Sequence, residues 1–117
     1  MIEELIARTF SLRNAVHLAH WSTRSYSEHQ ALGSFYDELL DKLDMVVEAY
    51  QGIFGLVGQV PVLGQRANAI VDEIRSEMEW LADNRDEIAR NNAVLANQLD
   101  DMGHFYATTL YKLDFLA

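Results

Sequence analysis

Apolar residues recur every three or four positions along almost the whole chain, the spacing of helices that each bury one face. Ile2, Leu5, Ile6, Thr9, Leu12 and Val16 keep to one arc, with His20 near its centre and His17 at its edge, and predict a first helix over 2–23. Ser27 opens the run Ser-Glu-His-Gln, a capping-box pattern that starts a second helix with His29 in its first turn. That helix continues to Phe54 with a wide apolar face of Leu32, Phe35, Tyr36, Leu39, Leu40, Leu43, Val46, Val47, Tyr50 and Phe54. His29, Gly33, Asp37, Asp44 and Glu48 form a separate stripe along one border of this face, and Asp41 lies slightly further round.

Gly55, Gly58 and Gly64 surround the single proline, Pro61, and interrupt the periodicity over 55–64. A third helix follows over 65–90, with Ala67, Ile70, Val71, Ile74, Met78, Leu81, Ile88 and Ala89 inward and Trp80 outside the arc. Asn91 and Asn92 break the pattern, and a fourth helix over 93–116 turns Leu95, Leu99, Met102, Tyr106, Leu110 and Leu113 inward. Four amphipathic helices of similar length predict an all-α fold, a four-helix bundle occupying residues 1–117 as one domain. Ten connecting residues span roughly 35 Å when extended, against roughly 40 Å for the second helix. The connection therefore reads as a tight crossover back along the bundle rather than a turn.

Charge narrows the functional classes. Nine Lys and Arg against eighteen Asp and Glu give a net charge of −9, and the basic residues do not cluster, which argues against direct DNA binding. An acidic surface suits cations and solubility alike. The absence of cysteine removes disulfides and thiolate metal sites. No apolar run approaches the length of a membrane span, and the acidic start is unlike a secretory signal, so the expected setting is a cytosol.

Histidine and carboxylate together are the ligand set of iron, manganese or zinc. Three arrangements compete. His17 and His20 could act together at i, i+3. A buried di-metal centre would need two carboxylate-x-x-His pairs, but Asp101-Met-Gly-His104 is the one such pair and both its ends point away from the apolar arc. The third arrangement uses His20, His29, Asp44 and Glu48; its carboxylates border the core rather than entering it, so the site would lie between subunits. Hydrogen-bonded boundary histidines and a solvated acidic face produce the same pattern with no metal. Trp21, Tyr36 and Tyr50 read as packing residues.

His20-Trp21 near the end of the first helix, His29 opening the second, and Asp44 and Glu48 beginning fifteen residues later resemble the Dps proteins. These are ferritin-like DNA-protection and iron-storage proteins of starved cells, and the chain is similar above all to the compact, acidic Dps-like proteins of some tailed phages. The resemblance implies a ferritin-like bundle with a crossover between the second and third helices. It further implies oxidation of Fe(II) by peroxide or oxygen, storage of ferric iron, and a homo-oligomer, from a dimer to a twelve-subunit shell, in the cytoplasm (the host's, if phage-encoded). Carried over by position, His20 and His29 from one subunit meet Asp44 and Glu48 from a two-fold partner around iron or another divalent metal.

Three departures accompany the resemblance. The family's carboxylate four residues after the second histidine falls on Gly33, leaving Asp37 one turn further as the substitute ligand. The segment between the histidines is short, and the crossover has no room for the family's small extra helix. Some members' basic N-terminal tail is also missing. The alternative is a catalytically degenerate ferritin-like bundle serving as a structural or oligomeric binding protein.

Overall fold

In the computed structural model, which describes residues 1–117, the chain forms four α-helices and no strands: α1 (Ile2–Ser22), α2 (Tyr26–Phe54), α3 (Ile70–Ala89) and α4 (Ala93–Phe115). They pack side by side into a body of 44 × 26 × 21 Å. α1 lies against α2 and α3, and α4 lies against α3 and α2. No helix is long and apolar enough to cross a membrane.

One core runs the length of the four helices, and the apolar arcs explain it. Every inward position expected on α1 is buried, from Ile2 to Val16, as is every one on α4, from Leu95 to Leu113. On α2 the fully buried set is Leu32, Phe35, Leu39, Leu43 and Val46, while Tyr36, Leu40, Val47, Tyr50 and Phe54 pack around its edge. Phe35 stacks on Tyr106 at 5.6 Å and tilts against Phe105 at 4.9 Å, joining α2 to α4 in mid-core.

The helix ends differ from the sequence reading in instructive ways. The cap of α2 is Ser25 rather than Ser27: its Oγ accepts from the Glu28 backbone N–H at 3.2 Å. Ser25, Glu28 and the two residues between also match a capping box, but the Ser25 N–H donates to the Thr23 hydroxyl instead of to Glu28. α2 ends at Gly55, whose φ of +105° is open only to glycine without strain. Arg90 and Asn91 take left-handed conformations, and Asn92 caps α4 by accepting from Leu95 N–H at 3.2 Å.

The connection is longer than expected, 55–69, because α3 starts at Ile70 rather than 65. Ala67, expected inward, is exposed. The reason is Arg66, whose guanidinium donates to the Arg8 carbonyl at 3.0 Å, to Ser11 Oγ at 3.2 Å and to Glu77 Oε1 at 2.7 Å. Reaching these partners holds the backbone before α3 against α1, in a path that a helix over 65–69 does not follow. Nearer the start of the connection, the Gly58 N–H donates to Glu3 Oε2 at 2.7 Å and holds that carboxyl below the usual carboxylate range.

Arg66 belongs to a polar cluster inside the bundle. Glu77, 3% exposed, also takes Arg8 Nη2 at 3.2 Å and Nε at 3.3 Å, and Glu73 lies 3.8 Å from Arg66 Nη1. Two arginines thus neutralise two buried carboxylates, as burial of charge requires. The Arg8 guanidinium also sits 4.6 Å over the Trp80 ring, which places Trp80 against α1. Burial, with the negative charge of Glu77 beside it, pushes the Tyr106 phenol well above its ordinary value despite its hydrogen bond with Thr9.

Candidate functional site

The turn between α1 and α2 has only three residues, 23–25, so the end of one helix is brought against the start of the next. There His20 and His29 form a reciprocal clasp. His20 Nδ1 bonds the His29 carbonyl at 2.7 Å, and His29 Nδ1 bonds the His20 carbonyl, also at 2.7 Å. The two rings stack at 3.7 Å with 16° between their planes. A carbonyl can only accept, so both Nδ1 atoms carry hydrogen. In the uncharged imidazole that leaves each Nε2 with a bare lone pair, the state in which histidine binds a metal or takes a proton.

Gly33 is part of the same construction. A Cβ built there would come 2.9 Å from His20 Cε1 and 3.1 Å from its Nδ1. The missing side chain is therefore filled by the His20 ring, which lies directly on the α2 backbone. A carboxylate at this position would push His20 out of the clasp. In the sequence Gly33 looks like an absent ligand; the packing gives it a positive role.

Other rings extend the cluster. His17 stacks on Tyr36 at 4.0 Å and meets Trp21 at 4.4 Å, and Tyr36 and His20 meet edge to face at 5.3 Å. Desolvation, together with the positive charge of Arg13 and the neighbouring His20, holds His17 below the ordinary histidine range. The Arg13 guanidinium sits 5.1 Å over the Tyr36 ring. Trp21 and Tyr26 are exposed at the end of the bundle, whereas Tyr36 and Tyr50 pack against the core.

The carboxylates stand apart from the histidines within one chain. Asp37, Asp41, Asp44 and Glu48 are all exposed along α2. At the helical rise, Asp44 lies about 22 Å and Glu48 about 28 Å along the axis from His29. No three His, Asp or Glu side chains of a single chain converge closely enough to hold an ion. The structure thus brings His20 and His29 together and leaves Asp37, Asp44 and Glu48 for a second molecule or for solvent. Asp101 pairs with Lys42 at 3.0 Å and His104 is exposed, so the Asp101–His104 pair faces outward as its arc predicts.

The geometry also limits what the histidine pair can do. A nitrogen lone pair lies in its ring plane, and two nearly parallel planes 3.7 Å apart do not meet within the ~2.1 Å of a metal–nitrogen bond. One ion therefore takes one of the two imidazoles unless a ring turns. The remaining ligands of such an ion must come from elsewhere, since no carboxylate of the same chain converges on the pair.

The buried Arg8–Glu77–Arg66 cluster is not evident from periodicity alone. Its one signal is that Glu77 falls at the edge of the apolar arc of α3, beside Leu81, where a carboxylate needs a partner. No curated protein and no solved structure matches the chain. Residues 20–113, from the first histidine of the clasp to the last buried leucine of α4, match the model of a family of unknown function, DUF5856, and the chain belongs to that family.

Proposed function

We propose that the protein is a Dps-like, ferritin-like bundle that binds Fe(II) at a site shared between subunits, with His20 or His29 from one chain and Asp44 and Glu48 from another. The observation that carries this reading is the pair of Nδ1–carbonyl bonds, which fixes both imidazoles in the form that offers Nε2 to a metal. The chain path supports it. The 55–69 connection touches α1 at Glu3 and again at Arg8 and Ser11, and α3 meets α1 with Glu77 beside Arg8. Those contacts support a crossover of the ferritin-like kind, with α2 and α3 parallel.

Imidazole and carboxylate oxygen hold Fe(II) and favour Fe(III) once an oxidant removes the electron. With Gly33 in place of a ligand and one imidazole for each ion, binding is weaker than at a complete di-iron centre and oxidation is slow. The acidic α2 face then draws cations toward the site. The second reading is the degenerate bundle, in which the histidines only fasten α1 to α2. It is favoured by the near-parallel stacking of the rings.

Fe(II) titration under peroxide, followed by ferric absorbance, separates the two. Catalysed oxidation that falls several-fold in His29→Ala and in Glu48→Gln supports the shared site. A rate equal to that of buffer for all three proteins refutes it and leaves the clasp as purely structural.

A further inference from the structure

A cleft of about 440 Å³ opens between α1, α2 and the connection. Phe10 and Leu40 wall it on the helices, and Val60, Pro61, Val62 and Leu63 wall it on the connection. Much of this apolar surface is bare: Phe10 and Leu63 are half-exposed and Val62 is 98% exposed. The wall is nevertheless held in place, because the connection is pinned on either side of it. The Gly58 N–H donates to Glu3 at 2.7 Å, and Ser11 Oγ donates to the Gly64 carbonyl at 3.2 Å. A preformed cleft of this volume, mostly apolar with few polar groups, has the make-up of a small-molecule site.

Arg13 lines the same cleft and is the anomaly in it. Arg8, Lys42, Arg66, Arg75 and Arg85 each pair with a carboxylate, while Arg24, Arg90 and Lys112 are exposed to water. Arg13 alone is half-buried with no anionic partner. One face of its guanidinium lies 5.1 Å from the centre of the Tyr36 ring. Its Nη1 reaches the neutral Asn14 Oδ1 at 3.4 Å, and its Nε is buried without an acceptor. A buried cation in that state lacks the charged acceptor that would offset its lost hydration.

We propose that this cleft binds a small monocarboxylate with an apolar body, its carboxylate on the Arg13 guanidinium and its body against Phe10, Leu40 and Val62. A planar guanidinium matches a carboxylate bidentately. A phosphate monoester brings up to about two negative charges, and Arg66, the cation of the adjoining connection, is already committed to Glu73 and Glu77. The net charge of −9 repels anions from the surface at large, so uptake depends on contact within the cleft. Covering the bare side chains of Phe10 and Val62 supplies that contact. Neither His20, His29 nor the acidic stripe of α2 lines the cleft, so failure of the iron site leaves this site standing, and the reverse.

Isothermal titration calorimetry of the full-length protein in EDTA, with decanoate kept below its micelle concentration, tests the assignment. One decanoate per chain is expected, with decanamide, the uncharged amide of the same length, at least roughly tenfold weaker. Arg13→Gln should lower decanoate affinity by at least roughly tenfold and leave decanamide unchanged. Phe10→Ser should weaken both ligands alike, since it removes apolar wall and no charge. Circular dichroism confirms that each variant is folded, and the comparison of decanoate with decanamide on the wild type needs no variant at all. Decanamide binding as tightly as decanoate overturns the proposal. So does uptake of several decanoates per chain that ignores Arg13→Gln, which is adsorption to bare apolar surface. A wild type that takes up no decanoate overturns it as well, and sedimentation of that protein as a dimer would give the cleft to a second copy of the chain.

Discussion

Gly33 offers the sharpest test of how the α1–α2 junction is built. In an ordinary helix interior, Gly33→Ala would stabilise the protein by about 0.5–1 kcal/mol through helix propensity. Here the new Cβ lands 2.9 Å from His20 Cε1, on a ring held by a 2.7 Å hydrogen bond and a 3.7 Å stack. The ring must leave. That removes the hydrogen bond from His20 Nδ1 to the His29 carbonyl, about 0.5–1.5 kcal/mol net, and a ring pair of about 0.5–1.5 kcal/mol. Less the propensity gain, the expected change is a destabilisation of up to about 2.5 kcal/mol. In a His20→Ala background the obstruction is gone, and Gly33→Ala should instead stabilise by about 0.5–1 kcal/mol. The sign thus reverses with the background, as a double-mutant cycle reads directly. Urea unfolding of the four proteins, fitted for midpoint and slope, measures it. If Gly33→Ala stabilises equally in both backgrounds, His20 does not rest on Gly33 and the clasp is not the element that fixes this junction.

Three further outcomes test the parts of the fold that position the site. Glu77→Gln leaves Arg8 and Arg66 facing a neutral amide inside the bundle and should destabilise by about 3–5 kcal/mol, the cost of breaking a buried pair. Arg66→Ala should in addition free the connection, read as faster proteolytic cleavage within 58–66 while α1 and α4 remain protected from hydrogen exchange. Ser25→Ala should cost about 1 kcal/mol as a lost helix cap, whereas Ser27→Ala should cost a few tenths at most; equal losses would mean that the two serines share the cap.

Local pattern determined most of the architecture. The arcs of α1 and α4 were legible residue by residue, since apolar periodicity over five or six turns fits only one buried face. Asn91–Asn92 marked the α3–α4 break because asparagine both tolerates left-handed backbone and caps a helix. His20, His29 and the carboxylate stripe could be singled out from residue type and spacing alone.

What spacing could not supply was the contacts between elements. The start of α3 depends on Arg66 reaching Arg8, Ser11 and Glu77, partners far away in sequence that outweigh a local helical preference. The role of Gly33 depends on a ring delivered from another helix, and so looks from sequence like an omission. The histidines were visible as donors, but only the packed junction decides which nitrogen of each is tied to a carbonyl and which way its lone pair points. Hydrophobic periodicity is a property of one helix and survives in the sequence; hydrogen-bond partners and ring orientation belong to pairs of helices and arise only when the chain folds.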